Sequence, residues 1–513
     1  MASSENLDRK WDREVDVLIV GYGGAGSAAA IEAHDAGAEV LILESTEKGG
    51  GNTAVSFGGF LCPTNVEEAI TYITGLFDLS FSEKDENLIR VFAEASVQNV
   101  EWVTGLKEGT TVHNYGGAGY PMVAGAESMK KYVVHGDGKG LIGFAKNLFN
   151  LFQHAVEDKR QIPIQYNTPA RKLVTDTSGA VVGLVAEADG KEIAIHARRA
   201  VILTCGGYEA DQQMLQNHVK GFPVYNIGHP GNKGDGIRMA QLVGAGLWHM
   251  NSVSCGIGLK IPSFESAFAM HISRKAHIFV DKNGQRFINE VDIEHHAGLL
   301  AVDFYDTKTL QYPRIPFYVI FDETVRKKGP ISKAVGLGSA GVQYKWSKDN
   351  SIEIEKGWIK KRETLASLAK EINLDPESLD QSVARWNQQV NEGEDSDFGR
   401  DLSAGAKTAQ LQNSLLDEEV NGEKTGKSEL LIETAPYYAI EIHPTLINTQ
   451  GGPRRNEKAQ VLDAFGDPIP RLYSAGELGS MWGLIYQGAG NIGECIVSGR
   501  IAGRNSAAET PPA

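Results

Sequence analysis

Val15-Asp16-Val17-Leu18-Ile19-Val20 runs into Gly21-Tyr22-Gly23-Gly24-Ala25-Gly26, and Ser27-Ala28-Ala29-Ala30-Ile31 leaves it. An apolar run of strand length, a glycine-rich turn and a small-residue helix open a dinucleotide-binding βαβ unit. Gly21 permits the tight turn, Gly23 lets backbone approach a pyrophosphate, and Gly26 lets helix and sheet pack closely, with Gly24 and Ala25 completing the phosphate loop. The helix N-terminus adds unpaired N–H groups and the positive end of its dipole. A second predicted strand, Glu39-Val40-Leu41-Ile42-Leu43, ends at Glu44, where a carboxylate binds ribose hydroxyls. A glycine motif alone says little. Strand, turn, helix, strand and acid in that order specify a Rossmann-type domain.

Directly after Glu44 comes Ser45-Thr46-Glu47-Lys48-Gly49-Gly50-Gly51-Asn52-Thr53-Ala54-Val55-Ser56-Phe57-Gly58-Gly59. A second glycine-rich stretch so soon after the acid suits a longer cofactor whose far end needs close backbone approach. Here the chain resembles the FAD-binding flavoproteins of the fumarate reductase and succinate dehydrogenase superfamily. Members that attach FAD covalently carry a His in this loop; Asn52 stands near that place, so the resemblance implies FAD held noncovalently. Arg198-Arg199-Ala200-Val201-Ile202-Leu203-Thr204-Cys205-Gly206-Gly207-Tyr208 resembles the family strand that returns to the cofactor. Gly234-Asp235-Gly236-Ile237 and residues 240–246 resemble the helix after it. Ile278 to Glu290 resembles the hairpin opening the family's capping domain, and Leu472-Tyr473-Ser474-Ala475-Gly476-Glu477 the C-terminal flavin segment. The resemblance runs from about Val15 to Gly503, ending on Gly499-Arg500-Ile501-Ala502-Gly503.

The implied fold is α/β: a discontinuous Rossmann-type FAD-binding domain with an inserted α+β capping domain. Residues 1–14 are expected to be a flexible tail, 15–256 the first part of the FAD domain, 257–430 the capping and substrate domain, and 431–513 the second part of the FAD domain. Within the insertion, Glu363 to Ile372 and Glu377 to Glu392 read as helices separated by a capping turn at Asn373-Leu374-Asp375-Pro376. Asp397-Phe398-Gly399-Arg400 resembles a family turn, and Asp417 to Lys427 reads as an exposed loop.

Composition bounds the partners. A chain of 513 residues with 42% hydrophobic side chains carries sizeable cores, and 58 Gly suits backbone packed closely on a cofactor. A net charge of −15 argues against nucleic acid or anionic lipid as partner. No apolar stretch approaches the roughly 18 residues of a membrane span, so no integral membrane segment is expected. The polar N-terminus carries no secretory signal, and Cys62, Cys205, Cys255 and Cys495 are scattered without a CxxC. They read as reduced thiols of a cytoplasmic protein with no metal site.

The segment that addresses chemistry is Ser480-Met481-Trp482-Gly483-Leu484-Ile485-Tyr486-Gln487-Gly488-Ala489-Gly490-Asn491-Ile492-Gly493-Glu494-Cys495-Ile496. Gly488, Gly490 and Gly493 repeat the GxGxxG spacing, but too little chain follows for a second strand and acid. A helix whose N-terminus faces the flavin is the better reading, with its dipole and free amides stabilising charge on reduced flavin. Electrons then enter or leave through the substrate or a separate carrier.

Fumarate reductases of this superfamily bind a dicarboxylate with arginines, bidentate donors suited to carboxylates. Counting back from Gly499, one family arginine falls on Tyr486. After Asn289-Glu290, where another follows, stands Val291-Asp292-Ile293-Glu294-His295-His296, and the family His falls on Asn448. A Tyr followed by small residues and glycines resembles instead the 3-ketosteroid dehydrogenases, in which a Tyr hydroxyl and a glycine N–H bind the substrate ketone. The resemblance assigns those roles to Tyr486 and Gly490. Forming a double bond beside a ketone removes an α-proton and passes the β-hydrogen to flavin as hydride, and two donors on the carbonyl oxygen stabilise the developing enolate. The base is sought among Tyr115 and Tyr120 in His113-Asn114-Tyr115-Gly116-Gly117-Ala118-Gly119-Tyr120-Pro121, with Glu294, His295 and His296 as alternatives. Met481 and Trp482 read as core or pocket wall, and His443-Pro444 as structural.

The expected cofactor ligands are Gly21, Gly23, Gly24, Ala25, Gly26, Glu44, Ser45, Gly51, Asn52, Thr53, Gly58, Gly59, Cys205, Gly206, Gly207, Gly476, Glu477, Asn491 and Ile492. The leading expectation is a dehydrogenase of a cyclic ketone or 3-ketosteroid, or the reverse enone reduction. A reductase of an unsaturated carboxylate, of fumarate or urocanate type, is the second reading. A flavin-binding sensor or scaffold is the third.

Overall fold

In the computed structural model, which describes residues 10–138, 140–272, 276–335, 344, 346–402 and 429–511, the opening apolar run is strand β1 (Arg13–Val20). Helix α1 (Gly24–Asp35) follows the glycine turn, and β2 (Val40–Leu43) lies parallel to β1 with Val20 opposite Leu43. A short helix α2 (Gly51–Val55) starts in the second glycine stretch, and α3 (Val66–Ser80) is N-capped by the Asn65 side chain. Strand β3 (Lys191–Leu203) returns beside β1, and β4 (Pro468–Ser474) pairs parallel with β3. The long helix α4 (Gly490–Ala508) closes the chain.

Contacts divide the chain into two units: Met1–Val219, Gly228–Ser254 and Asn448–Ala513 in one, Lys220–Ile227 and Cys255–Ile447 in the other. In the first, the sheet order is 460–462, β4, β3, β1, β2, 164–165. Register decides where the site lies. Val20 pairs with Leu43 and Leu203, and Leu203 with Ser474, so four parallel strands end level with one another. The residues just beyond those ends are Gly21, Glu44, Thr204 to Gly207 and Ala475 to Glu477. This carboxyl edge is where open parallel sheets bind ligands. The core under it joins Val17, Ile19, Ile42 and Ile202 with Ala29 of α1 and Ile496 of α4. Those two helices approach closely: a Cβ at Gly503 would lie 2.4 Å from the Ala29 carbonyl oxygen.

The second unit is built on a sheet ordered 278–280, 317–322, 437–449, 253–259, 268–272, 332–335. Helices Leu365–Glu371 and Pro376–Glu392 pack Leu368, Leu379, Val383 and Trp386 onto Ile278, Val280, Ile320 and Ala439. The first helix is shorter than the expected 363–372 because Thr364 takes the N-cap, its hydroxyl accepting from the Ser367 amide. Asp375 caps the second in the same way, with Pro376 in the first turn and Gly393 in the left-handed conformation at its end. The division observed at Ile447/Asn448 lies later than residue 431 expected from sequence. Strand Tyr437–Thr449 holds this segment in the second unit by pairing with Phe317–Asp322. Strand β1 likewise begins at Arg13, two residues inside the expected tail. The loop expected at Asp417–Lys427 lies outside the described residues. Among the described residues, no helix is long and apolar enough to cross a membrane.

Candidate active site and cofactor cradle

The cradle begins at Gly21, whose φ of +106° and the Thr204 carbonyl only 2.5 Å from a would-be Cβ leave room for no other residue. Gly26 is tighter still: its Cβ would meet the Gly21 carbonyl oxygen at 2.0 Å. The turn is tied to its surroundings by Gly21 N–H to the Leu43 carbonyl (2.8 Å), Gly50 N–H to the Tyr22 carbonyl (2.7 Å) and Gly24 N–H to Thr53 Oγ1 (3.0 Å). The amides of Gly23, Ala25 and Gly26 donate to no acceptor among the described residues. Three orphan amides at a helix N-terminus are the donor set a pyrophosphate requires. The Glu44 carboxylate stands at the end of β2, its Oε2 accepting from the Tyr22 amide (2.9 Å) and its Oε1 from the Thr46 amide (2.9 Å), the Thr46 hydroxyl (2.8 Å) and the Ser45 hydroxyl (3.3 Å). Oε2 keeps a lone pair that can accept a ribose hydroxyl. These features fit a dinucleotide.

The expected ligands divide by neighbourhood. Gly51, at the start of α2, faces open space on its Cβ side. Gly58 and Gly59 instead abut protein: a Cβ would meet the Phe144 carbonyl at 2.6 Å and the Tyr115 hydroxyl at 2.0 Å respectively. Cys205 places its thiol against the Val20 carbonyl (3.4 Å), and burial pushes that thiol up to about 12. Gly476 packs on Ala25 and Cys495.

Asn52, Gly207 and Glu477 meet in a cluster that also contains Glu209, Asn232 and Thr449. The Asn52 amide nitrogen donates to Glu209 Oε1 (2.7 Å) and Glu477 Oε2 (2.8 Å), while its oxygen accepts from the His229 amide (2.7 Å). Asn232 donates to Glu209 Oε1 (2.5 Å), and the Thr449 amide to Glu477 Oε1 (3.2 Å). A Cβ at Gly207 would lie 2.6 Å from Glu477 Oε1 and 2.9 Å from Glu209 Oε2, so glycine there lets both carboxyls close on the backbone. Both are buried. Desolvation, largest first, and the neighbouring carboxyl raise Glu477 well above its usual range, and burial raises Glu209 to about 7.

The start of α4 forms the second part of the site. Ala489 adopts the left-handed conformation (φ +70°), and the chain turns so that the Tyr486 hydroxyl accepts from the Asn491 amide at 3.0 Å. Gly490 does not offer its amide to a ligand as expected. The turn consumes it, with Gly490 N–H donating to the Gln487 carbonyl at 2.8 Å, and its Cα side is closed by the Trp482 ring, 2.6 Å from a would-be Cβ. The first-turn amide with no acceptor among the described residues is Ile492. Asn491 also donates from its side chain to Gln450 Oε1 (2.9 Å).

Tyr486 is buried in an apolar cluster with Met481, Trp482, Tyr72 and Phe92, against which Tyr120 packs. Its ring meets that of Trp482 edge-on, centroids 5.8 Å apart at 86°. Gln487 ties the two tyrosine loops together. Its amide oxygen accepts from the Tyr72 hydroxyl (2.6 Å) and the Gly119 amide (2.9 Å), and the Tyr72 oxygen accepts from the Tyr120 amide (3.2 Å). Beneath them Arg455 and Glu494 form a buried ion pair, Glu494 accepting from the Ser480 hydroxyl (2.6 Å) and the Met481 amide (2.7 Å). Arg455 reaches the Leu478 carbonyl at 2.9 Å and the Gly476 carbonyl at 3.1 Å. Arg454 pairs with Glu83 at 2.8 Å.

Tyr115 sits apart, on strand Val112–Gly116, edge-on to Phe57 and under Lys131. Desolvation holds its phenol above the ordinary value, so the phenolate that would take a proton is harder to form. Glu294, His295 and His296 lie in the second unit, where Glu294 bonds the His296 ring at 2.9 Å; desolvation opposes ionisation, but both histidines hold this carboxyl below its usual range. His443 bonds Glu441 at 2.8 Å in the same unit. Sequence reasoning missed Glu209 and Gln487, although each adjoins a recognised residue: Glu209 follows Gly206-Gly207-Tyr208, and Gln487 follows Tyr486. Asn232, Tyr72 and Thr449 carried no local signal. Only the fold brings them in.

The model of the FAD binding domain family matches residues 16–492. A cytochrome-type fumarate reductase of Shewanella frigidimarina is 29% identical over 506 residues, spanning 96% of this chain and 77% of that protein. A urocanate reductase of Eggerthella lenta is 28% identical over 517 residues, spanning 96% and 75%. The crystal structure of 3-ketosteroid delta1-dehydrogenase from Sterolibacterium denitrificans, in complex with 1,4-androstadiene-3,17-dione, is similar with a TM-score of 0.80 at 25% identity, covering 97% of this chain and 100% of that one. The family match spans the phosphate turn, the acid at the end of β2 and the α4 N-terminus, and these are the parts that form the cradle. The chain therefore belongs to the FAD binding domain family, within the fumarate reductase and succinate dehydrogenase flavoprotein superfamily, and its cofactor is FAD.

Proposed function

We propose that this flavoprotein interconverts a cyclic ketone, a 3-ketosteroid or a smaller cyclohexanone-type ring, with the enone carrying a C=C bond α,β to the carbonyl. At the coarser level it is an FAD-dependent oxidoreductase acting on CH–CH groups. The observation that carries the finer reading is the Tyr486 hydroxyl, set on the Asn491 amide at the start of α4 within an apolar cluster. FAD, when bound, supplies the acceptor or donor of hydride.

The residues of this chain supply the rest. An amide donating into the phenol oxygen polarises the O–H, making Tyr486 a stronger donor to a carbonyl oxygen. As the α-proton leaves, charge moves onto that oxygen, and a positioned donor is worth a few kcal/mol there. The amides of α4 reinforce it through the positive end of the helix. Tyr120, packed on the same cluster as Tyr486, is the favoured base, and Tyr115 is disfavoured because burial holds its phenol neutral. Apolar walls at Met481 and Trp482 suit a hydrocarbon ring. FAD is held noncovalently in this reading, since Asn52 places an amide, with no nucleophile, at the start of α2. Electrons leave to, or arrive from, a separate carrier.

The second reading, reduction of an unsaturated carboxylate, is favoured by the names of two relatives, fumarate reductase and urocanate reductase. Against it stand Tyr486 and Asn448 at the positions where that family's arginine and histidine are expected, so the cation that would clamp a carboxylate is missing at residue 486. Anaerobic mixing separates the two. Bleaching of oxidised flavin by a saturated 3-ketosteroid or cyclohexanone supports the ketone reading. Reoxidation of reduced enzyme by fumarate or urocanate, with no response to ketones, overturns it.

A further inference from the structure

Two carboxyls that pair with no cation among the described residues occupy the edge of the cradle. Glu209 and Glu477 are joined by one Asn52 amide, both close on Gly207, and the hydrogen bonds they accept come from neutral donors: Asn52, Asn232 and the Thr449 amide. Glu209 Oε2 is buried and bonds no N–H or O–H donor among the described residues. Two adjacent buried carboxylates cannot both be ionised at ordinary cost, so one retains a proton, which supplies the missing donor.

The groups around the pair do not neutralise it. Tyr208 feels the charge of Glu209 and Cys495 that of Glu477, and burial, the larger cause, keeps the Tyr208 phenol high and the Cys495 thiol at about 12. Desolvation, outweighing the charge of Glu44, holds His229, whose amide meets Asn52, below its usual range and so disfavours a charged ring there. Glu44 and Asp235 add negative potential at Cys205. The buried guanidinium of Arg455 is held by Glu494.

We propose that Glu209 and Glu477 form a proton-binding site of the cofactor cradle, and that FAD and this proton bind cooperatively. The segments the pair holds together are those of the cradle: Asn52 on α2, Gly206-Gly207 after β3 and Gly476-Glu477 after β4. Loss of the proton sets two like charges against each other across Asn52 and drives these segments apart. It also adds negative charge beside the amides that receive a dianionic pyrophosphate. Bound FAD raises the proton affinity of the pair, so by linkage FAD affinity is full while the pair keeps its proton and falls as pH rises beyond the point at which the FAD-free pair releases it.

The test measures FAD dissociation from holoenzyme by equilibrium dialysis with flavin fluorescence, from about pH 6 to about pH 9. The wild type is expected to lose affinity by up to about tenfold per pH unit in the upper part of that range, the slope of one linked proton. Glu209→Gln, which keeps an oxygen acceptor for Asn52 and removes the second charge, is expected to flatten the profile, as is Glu477→Gln. Difference infrared spectroscopy supplies a readout that needs no variant: the C=O band of a protonated carboxylic acid should bleach over the pH range in which FAD is released. A flat wild-type profile, a slope unchanged in both variants, or no acid band lost with FAD overturns the proposal.

Discussion

Replacing Tyr486 by Phe removes one oxygen from the site and preserves the ring. The edge-on contact with Trp482 at 5.8 Å survives, and so does the apolar cluster around it. Two losses follow from the missing hydroxyl. The Asn491 amide, 3.0 Å from that oxygen, loses its acceptor, which costs about 1–3 kcal/mol of folding stability if no water replaces it. On the proposed ketone reading the substrate carbonyl also loses its phenolic donor, and removal of one oxyanion donor slows turnover by about 10²- to 10³-fold, or about 2.7–4 kcal/mol. The losses are separable because the Gly23, Ala25 and Gly26 amides proposed to receive the pyrophosphate lie elsewhere, so FAD should stay bound. The assay is anaerobic stopped-flow bleaching of flavin by a saturated 3-ketosteroid, with the flavin-to-protein ratio measured on the same sample. A Phe variant with full flavin content that bleaches within about threefold of wild type would falsify the donor role.

Gly26→Ala should abolish FAD binding, because its Cβ would lie 2.0 Å from the Gly21 carbonyl oxygen; apoprotein from this variant should show no flavin absorbance after reconstitution. Gln487→Met should cut turnover by about tenfold or more with flavin retained, because the Tyr72 hydroxyl and the Gly119 amide lose their shared acceptor, while Gln487→Glu, which keeps it, should restore most of the rate. Equal rates in the two variants would show that the link is idle. Arg455→Met should destabilise the first unit by about 3–5 kcal/mol in urea unfolding by leaving Glu494 buried and unpaired, and adding Glu494→Leu should recover much of that loss. A double variant no more stable than the single one would place the cost in packing.

What the sequence revealed and what it hid divide along a physical line. The phosphate turn was legible because its demands are local: Gly21 and Gly26 are imposed by backbone atoms a few residues away, and strand, helix and acid follow in order. The helices at 365–371 and 376–392 were legible through their apolar spacing and, for the second, the Asp375 cap, while the Thr364 cap that shortens the first was not read. The acid pair was not. Glu209 and Glu477 meet because β3 and β4 end level, Asn232 and Thr449 come to them from two further segments, and no spacing in the chain encodes that meeting. The Gly490 expectation failed for a local reason that sequence conceals: Ala489 in the left-handed conformation turns the Gly490 amide back onto Gln487 and leaves Ile492 as the open donor.

The sequence relatives and the structural neighbour named above carry different substrates in their names, and in the proposed reading residue 486, beside the α4 N-terminus, is where one scaffold diverges. In the proposed arrangement the cradle, the level strand ends and the helix dipole would hold the cofactor and favour negative charge on it, whatever the substrate. Substrate class is decided by the few side chains that touch the substrate oxygen. A guanidinium at position 486 would bring a permanent charge, desolvated at useful cost only when a carboxylate answers it. Tyr486 brings a neutral donor that an apolar cluster tolerates without a counter-ion, and it draws its polarisation from the Asn491 amide. Tyr486→Arg would place a charge against Trp482 and Tyr72, where Gln487 offers no negative partner, so that exchange alone should unfold the cluster before it recruits a carboxylate. A shift from ketone to acid chemistry in this fold therefore needs the surrounding apolar wall to change together with residue 486.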